Sequence, residues 1–152
     1  MSAATSLAAL PVPYDPWVHL ARTWPEIDVA IEPMRGSLLG ELRYPVIALR
    51  AGTSAAQRRC TLAHELVHLE RGVTDCGPWA AREELAVHTE AARRLIRLTD
   101  LAAALRTSGP DCGAAALAQA LDVDRQTLTL RVERLTPREH ALLRSQLARA
   151  AL

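Results

Sequence analysis

Two histidines and a glutamate form the pattern His-Glu-x-x-His at residues 64 to 68. On an α-helix, residues four apart lie on the same face, so His64 and His68 can direct an imidazole nitrogen at one metal ion. Glu65 is offset around the helix and can reach a water molecule beside that metal. Two neutral nitrogen ligands, an open coordination position and a carboxylate base are what a zinc peptidase needs. The pattern therefore indicates hydrolytic metal chemistry, provided that it lies on a helix and that a third ligand exists.

The residues around this pattern predict the helix that it requires. Ser54 and Gln57 fit a capping box, in which the two side chains satisfy backbone N–H groups at the start of a helix. No helix-breaking residue follows until Gly72, a natural C-terminal stop. Leucines recur at helical spacing beside the histidines at Leu62, Leu66 and Leu69. One face of this helix should therefore lie in a core while the histidines face a cleft.

Length and composition restrict the class of protein. A chain of 152 residues with 49% hydrophobic residues can bury a core as one domain, or as one domain with a small appendage. Its net charge of +1 provides no overall attraction to nucleic acid or to a membrane surface. No stretch approaches the roughly 18 consecutive apolar residues of a membrane span. We expect a globular protein without a membrane partner.

The N-terminus and the cysteines indicate the compartment. Residues 1–13 lack a basic n-region and are interrupted by Pro11 and Pro13, so we expect a flexible tail rather than a signal peptide. The chain has three cysteines, an odd number at no metal-finger spacing: Cys60, Cys76 and Cys112. Such cysteines suit reduced thiols in the cytoplasm, which is the location we expect. Cys60 precedes His64 by one turn, a spacing that favours a role as core filler over metal binding.

The segments before the motif predict an α+β arrangement. Apolar residues at helical spacing, followed by Pro25, predict a short helix over 17–24. Alternation of apolar and polar residues predicts strands over 27–32 and 38–44, and 46–50 is a third strand candidate. We expect a small antiparallel sheet of about three strands packed on the metal helix.

The segment after the motif must provide the third ligand. We expect a loop over 73–77 and a long helix from Pro78 to about residue 98. This helix carries four candidate ligands: Glu83, Glu84, His88 and Glu90. Glu84 and His88 are four residues apart and share a face, whereas Glu83 and Glu90 fall on another. Any of these glutamates can instead be a surface charge paired with a neighbouring arginine, and the spacing leaves the choice open.

The residues around the motif resemble a known family. Residues 58–72, Arg-Arg-Cys-Thr-Leu-Ala-His-Glu-Leu-Val-His-Leu-Glu-Arg-Gly, are followed by Glu-Ala-Ala-Arg-Arg-Leu-Ile at 90–96. Together they are similar to the ImmA/IrrE family of small zinc metallopeptidases, which occur in phages, mobile elements and bacteria. The resemblance covers residues 17–98. It implies a zincin-like metallopeptidase domain, which we assign to residues 14–98.

The same resemblance implies a ligand set and a substrate. Its pattern is gluzincin-like: the second helix provides a glutamate ligand, followed four residues later by an acidic residue that supports the first histidine. By that pattern Glu84 completes a Zn²⁺ site with His64 and His68. Position 88, where an aspartate is usual, is His88, which can support the site, orient substrate or bind the metal itself. Family members are implied to cut helix-turn-helix transcriptional repressors.

Residues 99–152 predict a helical C-terminal region. A short helix is expected over 99–106, and the apolar spacing of residues 117–128 is typical of a helix-turn-helix. Asp122 occupies the turn position where glycine is common. The segment Thr-Pro-Arg-Glu that begins at Thr136 is a strong start signal for a last helix. Seven arginines and six acidic residues across this region give a weak electrostatic footprint for DNA, so we favour a docking or scaffold role over DNA binding.

These patterns favour a zinc-dependent endopeptidase that acts on a protein substrate. Glu65 is the predicted base, which later passes the proton to the leaving amine. The strand at 46–50 is the candidate for edge pairing with an extended substrate. Candidates for contacts to the substrate oxyanion are Tyr44, Arg82 and His88. Two alternatives come from other classes: a DNA-binding regulator with a structural or vestigial zinc site, and a protein that sequesters its target without cutting it.

Overall fold

The computed structural model describes residues 13–72, 77–109 and 111–149. The flexible tail expected over 1–13 and the loop expected over 73–77 lie outside the described residues, except for Pro13 and Gly77. Cys76 lies outside them as well. The fold below concerns the described ranges only.

The N-terminal part contains one helix and a three-stranded sheet. Helix α1 spans Pro16–Thr23, and the side chain of Asp15 caps it by accepting from the backbone N–H groups of Trp17 and Val18. The strands are β1 (Asp28–Glu32), β2 (Gly40–Arg43) and β3 (Val46–Arg50). The predicted α+β class is confirmed.

The sheet is mixed, which corrects the expectation of a purely antiparallel one. Its strand order is β1-β3-β2, with β2 antiparallel and β1 parallel to β3. A two-residue turn at Tyr44–Pro45 makes β2 and β3 a hairpin, and β1 pairs at the other side of β3. Strand β3 is therefore central and has no free edge for a substrate strand, so the prediction that the strand at 46–50 pairs with substrate is wrong. The three consecutive buried residues of β3, Ile47, Ala48 and Leu49, fit that central position.

Helix α2, Ala55–Arg71, lies between two apolar clusters. The predicted capping box of Ser54 and Gln57 is present, and Gly72 ends the helix in the left-handed conformation with a φ of 64°. Leu62 and Leu66 pack with the sheet and α1 in one cluster. On another face, residues such as Ala63 and Val67 pack with the C-terminal helices in a second cluster. The histidine-bearing helix is thus fixed from both sides.

The second long helix is shorter than the sequence predicted. Helix α3 spans Ala80–Leu95, starting two residues after Pro78 rather than at it, and helix α4 follows at Leu98–Ser108. The chain turns at Ile96, which is fully buried and has an extended backbone conformation. Nε of Arg131, 35 residues away, donates to the carbonyl oxygen of Ile96 at 3.0 Å. A long-range contact therefore stabilises the interruption, and no local glycine or proline signals it.

Three further helices complete the described chain: α5 (Ala114–Ala120), α6 (Arg125–Glu133) and α7 (Pro137–Ala148). Asp122, between α5 and α6, has a φ of 52°, in the region that favours glycine. The predicted start of the last helix is confirmed by a capping box between Thr136 and Glu139. Helix α6 packs against α3, so the C-terminal region supports a helix of the site. None of the helices in the described ranges has the length and apolar character needed to cross a membrane.

Candidate metal centre

Helix α2 brings the two histidines of the motif together. The Nε2 atoms of His64 and His68 lie 3.0 Å apart, and the two rings meet edge to face with centroids 4.6 Å apart. Both side chains are mostly buried, with 15% and 16% of their surface exposed. The helical spacing thus places two ring nitrogens at one point, as the sequence predicted.

Helix α3 brings Glu84 to the same point. One carboxylate oxygen of Glu84, Oε2, lies 3.5 Å from Nε2 of His64, and the other, Oε1, lies 3.0 Å from Nε2 of His68. Ligand atoms of these three residues all lie within 4.8 Å of one another. In a tetrahedral zinc site with bonds of about 2.0–2.1 Å, two ligand atoms are about 3.3 Å apart, so the observed separations fit one ion. The donor set, two imidazoles and a carboxylate, is also of the catalytic zinc type.

The rival glutamates of α3 point elsewhere. Glu83 forms an ion pair with Arg71 at the end of α2. Glu90 accepts a hydrogen bond from Nε of Arg94 at 2.8 Å. Among the candidates left open by the spacing, Glu84 is the carboxylate that reaches both histidines.

The imidazole ring of His64 has an unusual environment. Its Nδ1 atom is buried and has no hydrogen-bond partner among the described residues. The ring of His88 lies against that of His64, with centroids 4.2 Å apart and planes inclined by 38°, while Nε2 of His88 is 3.8 Å from Glu84. Burial, and then the nearby His88 and His68, lower the pKa of His64 to about 3. His64 is therefore neutral at pH 7, the state in which imidazole binds a metal.

Glu65 lies beside the ligands at the buried junction of α2 and β2, with 6% of its surface exposed. Burial raises the pKa of Glu65 to about 7; the charges of Glu84 and Glu41 act in the same direction, and a hydrogen bond with the backbone of Leu42 opposes them. A carboxyl group with a pKa near neutrality can both accept and return a proton.

Close packing of β2 on α2 depends on a glycine that the sequence analysis did not identify as functional. A Cβ at Gly40 would lie 2.3 Å from Cγ2 of Thr61 and 3.2 Å from Oε1 of Glu65. Only glycine therefore fits at this point of the strand without displacing its neighbours. An isolated glycine within a predicted strand is the signal that could have indicated such a close approach.

The site opens into a cleft of about 1180 Å³. Its walls come from the loop before β2, from α2, from α3 and from α6. Arg35 and Arg125, which were not predicted from the sequence, also line it. Cys60 also lines the cleft, but it belongs to the core, its Sγ accepts from the N–H of Asp124 at 3.4 Å, and burial raises its pKa to about 11. The thiol of Cys60 is therefore protonated and packs in the core, as the one-turn spacing between Cys60 and His64 predicted.

Two candidate substrate contacts do not line this cleft. Tyr44 lies at the turn between β2 and β3, with 68% of its surface exposed. Arg82 lines a different cavity, on the other side of α3. His88 is the member of the three oxyanion candidates that lines the cleft, together with the candidate ligands His64 and Glu84.

Comparisons with known proteins agree with this geometry. A family model described as the IrrE N-terminal-like domain, of the M78 peptidases, matches residues 25–133. The match covers most of the chain and includes the two helices that carry the candidate ligands. Searches against curated proteins and against solved structures gave no significant match.

Proposed function

The chain belongs to the IrrE N-terminal-like family of M78 peptidases, and from that premise we propose that it is a zinc-dependent endopeptidase of gluzincin type. Peptidases of this family are typically metal-dependent, and the chain offers a metal site of suitable composition. The observation that carries the proposal is the convergence of His64, His68 and Glu84 within 4.8 Å, with Glu65 beside them.

The three ligands suit Zn²⁺, and Glu65 suits the proton transfers. A zinc ion held by these residues would act as a Lewis acid and would lower the pKa of the attacking water toward ~7. The carboxylate of Glu65 accepts the proton of that water as its oxygen attacks the scissile carbonyl. Glu65 then donates the proton to the departing amine, so the peptide bond breaks without a free anionic nitrogen. The walls of the cleft hold the substrate in position for both transfers.

The substrate that we propose is a protein segment in extended conformation. Strand β2 is an edge of the sheet and its first residue, Gly40, adjoins Glu65, so backbone groups of β2 can pair with a substrate strand next to the base. Helix α6 lines the same cleft through side chains such as Arg125 and Thr129. A helix-turn-helix transcriptional repressor is the substrate class we propose, from the resemblance to the ImmA/IrrE family.

Protein cleavage accounts for α6 better than DNA binding does. Helix α6 stands where a recognition helix would, but several of its side chains that are not buried, such as Arg125, Thr129 and Glu133, line the peptidase cleft. Its cap Asp124 and its last residue Glu133 place negative charge at both ends, which disfavours contact with phosphates. We therefore propose that α6 is a wall of the substrate cleft. The alternative of a sequestering protein is separated from a peptidase by whether the target is cut.

The experiment has two parts. Elemental analysis of the purified chain should find one zinc per molecule. Incubation with helix-turn-helix repressors, followed by mass measurement, should yield two fragments whose masses sum to that of the intact repressor plus one water. Stable complex formation without fragments would favour sequestration, and salt-dependent binding to duplex DNA that survives zinc removal would favour the DNA-binding alternative.

A further inference from the structure

A second cavity lies on the opposite side of α3 from the metal cleft. Its volume is about 540 Å³, within the range of small-ligand sites. Five arginines from three parts of the chain line it: Arg71, Arg82, Arg93, Arg94 and Arg134. The acidic residues of its lining are Glu70 and Glu90. Because the net charge of the whole chain is only +1, this is a strong local concentration of positive charge.

The carboxylates near this cavity are occupied by two of its arginines. Arg94 donates to both oxygens of Glu70 at 2.7 and 2.6 Å, and to Glu90 at 2.8 Å. Arg71 pairs with Glu83. Glu70, Glu90 and Glu83 are therefore paired without the other three arginines of the cavity.

The remaining three guanidinium groups are available to a ligand. Among the described residues, no carboxylate lies within ion-pair distance of Arg82 or Arg134. Arg93 lies 3.6 Å from Glu139, but that carboxylate is shared with Arg131 at the shorter distance of 2.8 Å. Arg82 and Arg134 are exposed, and 46% of the side chain of Arg93 is exposed. Arg82 and Arg93 belong to α3, Arg134 follows the end of α6, and all three line the cavity.

We propose that this cavity binds a small anion with one or two phosphate groups, held by Arg82, Arg93 and Arg134. The planar fork of donors on a guanidinium matches phosphate oxygens in bidentate fashion, which makes arginine clusters typical phosphate sites. The lining offers no sheet edge for pairing with a peptide, and Leu85 is its one exposed large apolar side chain. Charge rather than apolar contact must therefore provide the binding, which favours a compact, highly charged ligand over an acidic peptide.

The proposal does not depend on peptidase activity. The metal ligand Glu84 faces away from this cavity, and only Leu85 lines both the cavity and the cleft. A ligand here would nevertheless contact the helix that carries Glu84. The cavity can thus be tested in the presence or absence of zinc.

The test is calorimetric titration of the full chain with inorganic phosphate, inorganic diphosphate and adenosine diphosphate. We expect one saturable site, and the ranking of the three probes identifies whether phosphate alone or a nucleoside is preferred. The titration is run on zinc-loaded and zinc-free chains, because diphosphate coordinates zinc. Binding in the arginine-lined cavity persists without the metal, whereas binding at the metal centre does not.

Two double variants test whether diphosphate binds in the arginine-lined cavity. Arg82→Gln with Arg134→Gln should weaken diphosphate binding at least tenfold. Arg138→Gln with Arg144→Gln removes the same charge from exposed positions on α7 and should change binding less than twofold. Equal melting temperatures for the two double variants check that folding is intact. Equal weakening in both variants, no saturable binding in the native chain, or stronger binding of a hexaglutamate peptide than of diphosphate would each overturn the proposal.

Discussion

The ring of His88 lies 4.2 Å from that of His64, whose Nδ1 atom is buried without a hydrogen-bond partner among the described residues. A histidine that binds a metal through Nε2 usually donates its Nδ1 proton to a carboxylate or a carbonyl, which fixes the ring and raises its basicity. His64 lacks that support among the described residues, and His88 stands where the family pattern has an aspartate.

The first prediction follows from this arrangement. His88→Asp should bind zinc more tightly than the native chain, because a carboxylate can accept the Nδ1 proton of His64; such partners tune affinity by about 10- to 100-fold. His88→Ala should weaken binding only modestly. Competitive zinc titration against a chelator measures all three chains. If His88 is itself a ligand, both substitutions will damage the site, and His88→Ala will damage it severely while Glu84→Ala binds zinc normally.

The second prediction concerns the base. Glu65→Gln should keep one zinc per chain and lose cleavage by several orders of magnitude, because the amide keeps the shape of the side chain but accepts no proton at neutral pH. Fragment yield by mass spectrometry and zinc content by elemental analysis give the two readouts. Glu90→Gln is the matched control and should cut at the native rate. Retained turnover in Glu65→Gln would remove this residue from the mechanism.

The third prediction tests the contact between β2 and α2. Gly40→Ala should destabilise the fold by about 1–3 kcal/mol, as overpacking commonly does, because its Cβ would overlap Cγ2 of Thr61. Thr61 has little freedom to move, since it is buried and its hydroxyl donates to the carbonyl oxygen of Gln57 at 2.8 Å. Gly113→Ala is the control, since an added Cβ there meets nothing within 4 Å. Urea unfolding measures the free energy of unfolding of both variants. Equal values would show that β2 shifts without cost to accommodate the added Cβ.

The fourth prediction concerns the ion pair that anchors α6. Burial alone would raise the pKa of Glu139, but hydrogen bonds from the backbone of Thr136 and from Arg131 outweigh it and hold that pKa at about 2. Because this value is below the usual ~4.3 of an unfolded glutamate, its contribution to stability is present above about pH 4.3 and is lost as the pH falls toward 2.

Glu139→Gln should therefore lower the free energy of unfolding at pH 7 by about 1–3 kcal/mol, because buried Arg131 loses its charged acceptor. The difference from the native chain should shrink as the pH falls from 5 to 2. Denaturant unfolding across this pH range measures it, with exposed Glu133→Gln as the control. A difference that is constant with pH would show that the charge of Glu139 does not stabilise the fold.

Locally encoded elements were predictable from the sequence, whereas those that depend on distant contacts were not. The capping residues Ser54 and Gln57 specify the start of α2 through backbone groups within four residues, so that helix and its histidine pair followed directly. The break at Ile96 depends on Arg131, a residue that its charge would assign to the surface. Arg131 is buried with Nε donating to the carbonyl oxygen of Ile96 and Nη2 donating to Glu139, while its Nη1 has no partner among the described residues. No pattern in the nearby sequence indicates these contacts.

The residues of the site also divide into those that the local sequence predicts and those that depend on tertiary contacts. The sequence alone left four candidates for the third ligand, since helical spacing gives faces but not which face meets α2. Packing of α3 on α2 distinguishes the three glutamates among them, because Glu83 and Glu90 then meet arginines while Glu84 meets the histidines. The central position of β3 and the place of α6 in the cleft wall likewise follow from tertiary packing, which short-range patterns do not specify.

The most direct test of the account is the zinc content of Glu84→Ala beside that of Glu90→Ala. Two histidines alone leave the charge of the cation and two coordination positions uncompensated, so Glu84→Ala should lose zinc during dialysis against a weak chelator. Glu90→Ala and the native chain should each retain one zinc per molecule under the same conditions. Full zinc content in Glu84→Ala, with loss in Glu90→Ala, would contradict the ligand set of His64, His68 and Glu84.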